Sequence, residues 1–219
     1  MNILAFDTAG NFLSTGLSTG KAFFEENRFA GLKHSEYLLP SVNRLMDNAE
    51  IDFSDLDLIV CSRGPGSFTG LRIGMSTAKG LSTGSDTPVV SVNNLDALAY
   101  NFSFFNGAVI PVIDARKQRF YTAVYQKGER ISEYLDISAE EVSDIASGYK
   151  QVLFTGSGSE ILRERLGTPA STFNWFKTDY GLSPVLVNLG RIIYETDGPD
   201  PDDQGPFYIR LSDAELLKK

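Results

Sequence analysis

Soft and imidazole metal ligands are nearly absent from this sequence: His34 and Cys61 are its only histidine and cysteine in 219 residues. A zinc or copper site built from such ligands needs three or four of them, so none can be assembled. Internal disulfides are excluded for the same reason. A Ser–His or Cys–His nucleophile would have to use His34, whose neighbour is Ser35, and adjacent residues on a helix face different directions. A peptidase is therefore rejected, and His34 reads as a surface or helix-capping residue. Cys61 closes the apolar run Leu58-Ile59-Val60-Cys61, which makes it a core thiol. No run approaches the roughly 20 apolar residues that span a bilayer, so no membrane is expected. The opening Met1-Asn2-Ile3-Leu4 has no basic start, and the expectation is a cytoplasmic protein without a signal peptide. Positive charge is also scarce. Lys and Arg number 20 against 28 Asp and Glu, giving a net charge of -8 and a pI near 4.7. Independent grip on nucleic acid needs clustered cations, and the sequence does not offer them.

Glycine, by contrast, is concentrated where it can be read. The stretch Ser62 to Leu81 contains Gly64-Pro65-Gly66-Ser67-Phe68-Thr69-Gly70-Leu71-Arg72-Ile73-Gly74 directly after a strand-like run. A Gly-rich turn between a strand and a helix is where α/β proteins bring backbone amides close to an anion. This one lacks the Lys-Ser/Thr ending of a P-loop and the spacing of a dinucleotide fingerprint, so it is built for another purpose.

The chain divides into two halves of similar grammar, 1–105 and 106–219. Ile3 to Phe6 reads as a strand ending at Asp7-Thr8-Ala9-Gly10, followed by antiparallel strands over Phe12–Leu17 and Lys21–Arg28. A helix follows from His34 to Ala49, with Leu38, Val42, Leu45 and Ala49 on one stripe that Leu39 and Met46 widen. Further elements are a strand over Leu56–Cys61, a helix to about Thr83, a strand over Val89–Val92 and a helix from Asn94 to Asn101. The second half restarts with Ala108–Ile113, ending at Asp114-Ala115-Arg116. It continues with strands over Arg119–Gln126 and Ile131–Leu135, a helix over Ala139–Ala146, and a strand over Val152–Phe154. Helices over Glu160–Leu166 and Pro184–Glu195 follow. The acidic, proline-bearing stretch Asp197–Gly205 is a loop, and Leu211–Lys219 is a candidate helix closing the second lobe. The repeat predicts a duplicated α/β fold of two lobes, each a mixed sheet flanked by helices.

This pattern resembles the actin, Hsp70 and sugar-kinase superfamily, and within it the TsaB (YeaZ) family. The matching residues are Ile3–Thr8, Lys33-His34-Ser35-Glu36 with Leu38-Leu39-Pro40, and the Gly64–Leu81 run. Ile113-Asp114-Ala115-Arg116, the Thr155-Gly156 turn and Pro206-Phe207-Tyr208-Ile209-Arg210 match as well. The family is the non-catalytic partner of TsaD in bacterial synthesis of threonylcarbamoyladenosine on tRNA. The resemblance implies a TsaD heterodimer, a surface for the ATPase TsaE, a homodimer when alone, and tRNA contact only through the complex. TsaD carries His-x-x-x-His on the helix after its Gly-rich helix. The corresponding positions here are Asn94 and Leu98, neither of which suits a metal. Two departures stand out: Ala9 replaces the usual Ser after Asp7-Thr8, and Arg119 stands where the family often has Glu.

Superfamily members place acidic residues like Asp7 and Asp114 around magnesium and phosphates. Asp7, Thr8 and Asp114 are thus the candidate residues of a vestigial nucleotide cleft, although both aspartates equally suit turn capping. The adopted reading has no catalytic residue, no metal and no cofactor. ATP with magnesium, in a phosphotransferase or ATPase, is the alternative, and a self-contained homodimeric module is a third. The candidate partner interface is an exposed apolar patch from Leu38, Leu39, Val42 and Met46 beside His34. Gly70, Gly74 and Ala78 form a second, side-chain-poor stripe that either meets a partner or packs on the protein's own sheet.

Overall fold

A computed structural model describes residues 1–167, 171–178 and 181–210. They form two compact units, the first made of 1–97 with 181–206, the second of 98–178 with 207–210. The expected helix over Leu211–Lys219 lies outside the described residues.

The first unit is built on Ile3-Leu4-Ala5-Phe6, an apolar run long enough to be buried on both faces. Strand β1 (Ile3–Asp7) pairs antiparallel with β2 (Phe12–Ser18), which pairs with β3 (Phe23–Phe29). On its other side β1 runs parallel to β4 (Leu58–Gly64), and β4 to β5 (Val89–Asn93), giving the order β3-β2-β1-β4-β5. Helices α1 (His34–Ala49) and α2 (Phe68–Ser85) cover one face. Leu38, Val42, Leu45 and Met46 of α1 meet Leu4, Phe6, Ile59 and Cys61 there, together with Met75 and Ala78 of α2.

The opposite face is covered from far along the chain. Helix α6 (Ser183–Asp197) packs on β1, β2, β4 and β5. Its Gly190 lies so close to Val60 that an added Cβ would stand 2.6 Å from Val60 Cγ1. This grouping differs from a division at 105/106, because residues 181–206 belong with the first unit. A sheet with two apolar faces needs a layer on each, and among the described residues α6 supplies the second.

The second unit repeats the plan. Strand β6 (Ala108–Asp114) pairs antiparallel with β7 (Arg119–Thr122), which pairs with β10 (Leu135–Ser138). Strand β11 (Val152–Thr155) lies parallel to β6, and β12 (Asn174–Phe176) to β11. Helices α4 (Ala139–Ser147) and α5 (Ser159–Leu166) enclose Val112, Phe120, Val142, Phe154 and Leu162. Helix α3 (Asn94–Tyr100) spans the change from one unit to the other. The order β10-β7-β6-β11-β12 mirrors the first sheet, so the duplicated α/β architecture is present.

Two second-half expectations shift, and one strand was not expected. The single strand expected over Arg119–Gln126 is two, because β7 pairs with the end of β6 while β8 (Tyr125–Gln126) pairs with its start. The strand expected over Ile131–Leu135 is replaced by β9 (Glu129–Arg130), which forms a hairpin with β8, and by β10. Ile131 is exposed, whereas Ile137 sits opposite buried Phe120. The three-residue β12 was too short to leave a period in the sequence.

Candidate functional site

Strand β1 delivers Asp7 to the end of the first sheet, beside Ser62 of β4 and Asn94 at the start of α3. Asp7 Oδ1 accepts the Ala9 N–H at 2.9 Å, the Ser62 hydroxyl at 2.6 Å and Asn94 Nδ2 at 3.3 Å. Asn94 Oδ1 in turn accepts the Gly64 N–H at 2.8 Å. All of these groups are buried, where a satisfied polar network is worth more than the same bonds in water. Asn94 therefore links two backbone turns through the carboxylate. In the family resemblance, this is the position of the first imidazole.

The Gly-rich run has a packing purpose. The carbonyl of Ala9 accepts the Ser67 N–H at 2.7 Å, and Thr8 Oγ1 donates to the Gly70 carbonyl at 2.7 Å. A Cβ at Gly66 would stand 2.6 Å from the Ala9 oxygen, and one at Gly74 2.5 Å from Thr8 Oγ1. At Gly70 it would overlap the Thr8 carbonyl oxygen. The glycines let the start of α2 dock on the turn after β1, with Ser67 capping the helix through Gly70 N–H at 3.2 Å. Of the two uses the stripe left open, packing against the protein's own first unit is the one observed. Ala78 is fully buried in the same core.

The expected patch on α1 needs correction too. Leu38, Val42 and Met46 face the sheet and are buried, because a stripe at 3.6-residue spacing is what docks a helix on its own core. Only Leu39, 46% exposed, looks outward. His34 is not a surface residue: it is 4% exposed, and its Nε2 has no hydrogen-bond partner. The outer side of the α1–α2 layer instead carries Leu39 and Phe68, with half-buried Ile73. Phe68, Thr69, Arg72, Ile73 and Ser76 line an open groove there, with the Arg72 guanidinium 3.9 Å from the Phe68 ring centre.

Cys61 is enclosed at the sheet, and burial, with Asp200 nearby, pushes its thiol up to about 12. It is inert core, as expected.

In the second unit, Asp114 caps its own turn. Its Oδ1 accepts the Arg116 N–H at 2.9 Å, and Oδ2 lies 3.5 Å from the Arg116 guanidinium. Arg116, Lys117 and Gln118 all have positive φ, and Ala115 and Arg119 close the turn with backbone bonds of 3.0 Å. Arg119 binds Asp136 Oδ1 at 2.9 Å, while Arg210 grips the same carboxylate at 2.6 and 2.8 Å. Burial alone would raise the Asp136 pKa, but hydrogen bonds from Arg210 and Arg119 outweigh it and hold it below the usual carboxylate value. Sequence reasoning missed this triad, and it missed Ser62. The only signal for Ser62 was a hydroxyl at the end of an apolar run.

The comparisons with known proteins identify the family and the fold. Residues 28–168 match the family model described as TsaD, tRNA N6-adenosine threonylcarbamoyltransferase. A curated relative in Buchnera aphidicola subsp. Schizaphis graminum, the tRNA threonylcarbamoyladenosine biosynthesis protein TsaB, is 32% identical across 74% of this chain and 81% of its own. The chain belongs to this family, as a TsaB member. The Bacillus subtilis TsaB is 29% identical across 98% of this chain and 96% of its own length. The solved structure of YeaZ from Pseudomonas aeruginosa superposes with a TM-score of 0.80 at 26% identity, covering 95% of this chain and 99% of that one. TsaB is thus the name of the curated relatives, and YeaZ that of a solved structure that shares this fold. No helix among the described residues is long and apolar enough to cross a membrane.

Proposed function

We propose that this TsaB member is a non-catalytic scaffold subunit in tRNA N6-threonylcarbamoyladenosine synthesis, binding a TsaD-type transferase and holding it in its competent form. The observation that carries this reading is the Asp7–Asn94–Gly64 network. Where the resemblance puts a metal-binding imidazole in TsaD, an amide joins two structural turns, and Leu98 fills the second position. The Asp7 oxygen nearest to it already accepts three donors. The curated relatives carry the names of threonylcarbamoyladenosine biosynthesis proteins, which supports the pathway. The partner surface in this reading is the outer side of α1 and α2, around Leu39, Phe68 and Ile73, open to TsaD or to a second copy of this chain. TsaE joins the assembled pair, tRNA meets this chain only indirectly through the complex, and the work is done in the cytoplasm without ATP bound to this chain.

The test is to mix the chain with TsaD from the same organism and weigh the product by light scattering after gel filtration. A one-to-one complex that displaces the homodimer, and that is needed for threonylcarbamoyladenosine formation with TsaD, TsaE and tRNA, supports the proposal. Two folded proteins that stay apart at tens of micromolar overturn it.

A further inference from the structure

A second polar centre lies away from Asp7, at the far edge of the same sheet. Helix α2, the start of β5 and residues 198–205 surround a cavity of about 620 Å3, within the size range of small-molecule sites. Residues 198–205 are fastened over it at two points. The Asp200 N–H donates to the Val89 carbonyl at 2.8 Å, and Lys79 Nζ donates to the Asp202 carbonyl at 2.6 Å.

Two polar atoms at this place lack partners. Asp200, which lines the cavity, has its Oδ2 enclosed with no hydrogen-bond partner. Ser91 sits opposite Cys61 in the β4–β5 register, is 4% exposed, and its Oγ is likewise unpartnered. Cys61 itself lines the cavity, so Ser91 lies on the sheet face that the cavity touches. An enclosed carboxylate oxygen without a donor costs more than a neutral group would, and a ligand that donates removes that cost.

The charge around the cavity selects the ligand. Asp86, Asp200 and Asp202 line it against a single Lys79, whose ammonium is already engaged. That balance disfavours an anion. Among the described residues no group of three or more His, Cys, Asp or Glu is placed to hold a metal ion, which disfavours a divalent cation. The remaining walls include Met75, Pro88, Tyr194 and Pro201, suited to methylene groups.

We propose that this cavity binds a small aliphatic amine, its ammonium on Asp200 and its methylene chain against Met75, Pro88, Tyr194 and Pro201. The carboxylate turns Oδ2 toward the cavity to take the ammonium. This site is independent of the partner surface on α1 and α2.

Titrating the full-length chain with spermidine, by calorimetry at physiological salt and by thermal denaturation, tests the proposal. The expected result is saturable binding with a melting temperature that rises with ligand concentration. Asp200→Asn weakens binding about tenfold or more, while Glu164→Gln, an exposed acid on α5, leaves it unchanged. Thr83→Arg changes an exposed residue at the cavity wall, keeps the fold and blocks binding with its own cation. This second variant carries the test if Asp200→Asn does not fold. Absence of saturable binding at millimolar spermidine overturns the site. So does equal binding by wild type and a folded Asp200→Asn, or by wild type and Thr83→Arg. Equal loss in Glu164→Gln also overturns it, since that outcome marks diffuse attraction to an acidic protein.

Discussion

Asn94 stands with its Nδ2 3.3 Å from Asp7 Oδ1 and its Oδ1 2.8 Å from the Gly64 nitrogen, so one side chain ties the end of β1 to the end of β4. Replacing it with alanine leaves the Gly64 N–H buried without its acceptor. Asn94→Ala is expected to lower stability by about 1–3 kcal/mol in urea unfolding. Asn94→Asp puts a second carboxylate beside Asp7, and like charges at that range raise the pKa of one of them. A folded-state pKa above the unfolded value stabilises only at low pH. The Asp variant should therefore lose more stability at pH 8 than at pH 4, and a pH-independent deficit would contradict the prediction.

Glycines along α2 should divide by what faces them. Gly70→Ala drives a methyl into the Thr8 carbonyl and is expected to cost about 3 kcal/mol or more, or to prevent folding. Gly80→Ala meets nothing within 4 Å and should stabilise the helix by about 0.5–1 kcal/mol. Thermal denaturation of the two variants side by side checks both signs.

Two substitutions to aspartate on the α1–α2 layer separate docking from folding. Leu39→Asp and Phe68→Asp alter exposed side chains and should leave the melting curve near wild type while weakening association with TsaD at least about tenfold. Val42→Asp buries a charge in the core and should unfold the chain. Association that survives both surface changes places the interface elsewhere.

Asp136 gives a pH dependence. Its folded-state pKa is lowered, so its contribution is present above the unfolded value of about 3.9 and is lost as pH falls through the folded-state value. Asp136→Asn should be less stable than wild type near neutral pH, with the gap closing in acid. Unfolding midpoints across pH 3 to 7 would read it.

Cys61, with its thiol pushed up to about 12, is protonated at neutral pH and has no exposed surface even where it borders the cavity under residues 198–205. It should ignore a disulfide reagent in the native protein and react fully in denaturant. Native reactivity would show that β4 opens locally.

The sequence was legible where side chains answer to period and punctuation. Leu38, Val42 and Leu45 at helical spacing predicted α1 to its observed ends, and the run before Gly64 predicted β4. The same stripe does not by itself distinguish a core face from a partner face, because spacing tells that a face is apolar and not what covers it. Burial needs the sheet that Leu4, Phe6 and Ile59 build, from strands distant in sequence. The glycine spacing at 66, 70 and 74 was visible, but the turn it serves, Thr8-Ala9, lies some sixty residues earlier. In the sequence, Asn94 is legible as a poor metal ligand and no more. Its actual bonds, to Asp7 and Gly64, exist only once three strand ends converge.

The late arrival of α6 has a consequence for biosynthesis. As the chain leaves the ribosome, β1 to β5 emerge with α1 and α2, yet the sheet face around Val60 stays bare until residue 197 has followed. A nascent first unit is thus an unfinished layer, open to chaperones and to aggregation. Expressing residues 1–105 by themselves should yield insoluble product, and supplying 181–206 in trans is the natural rescue.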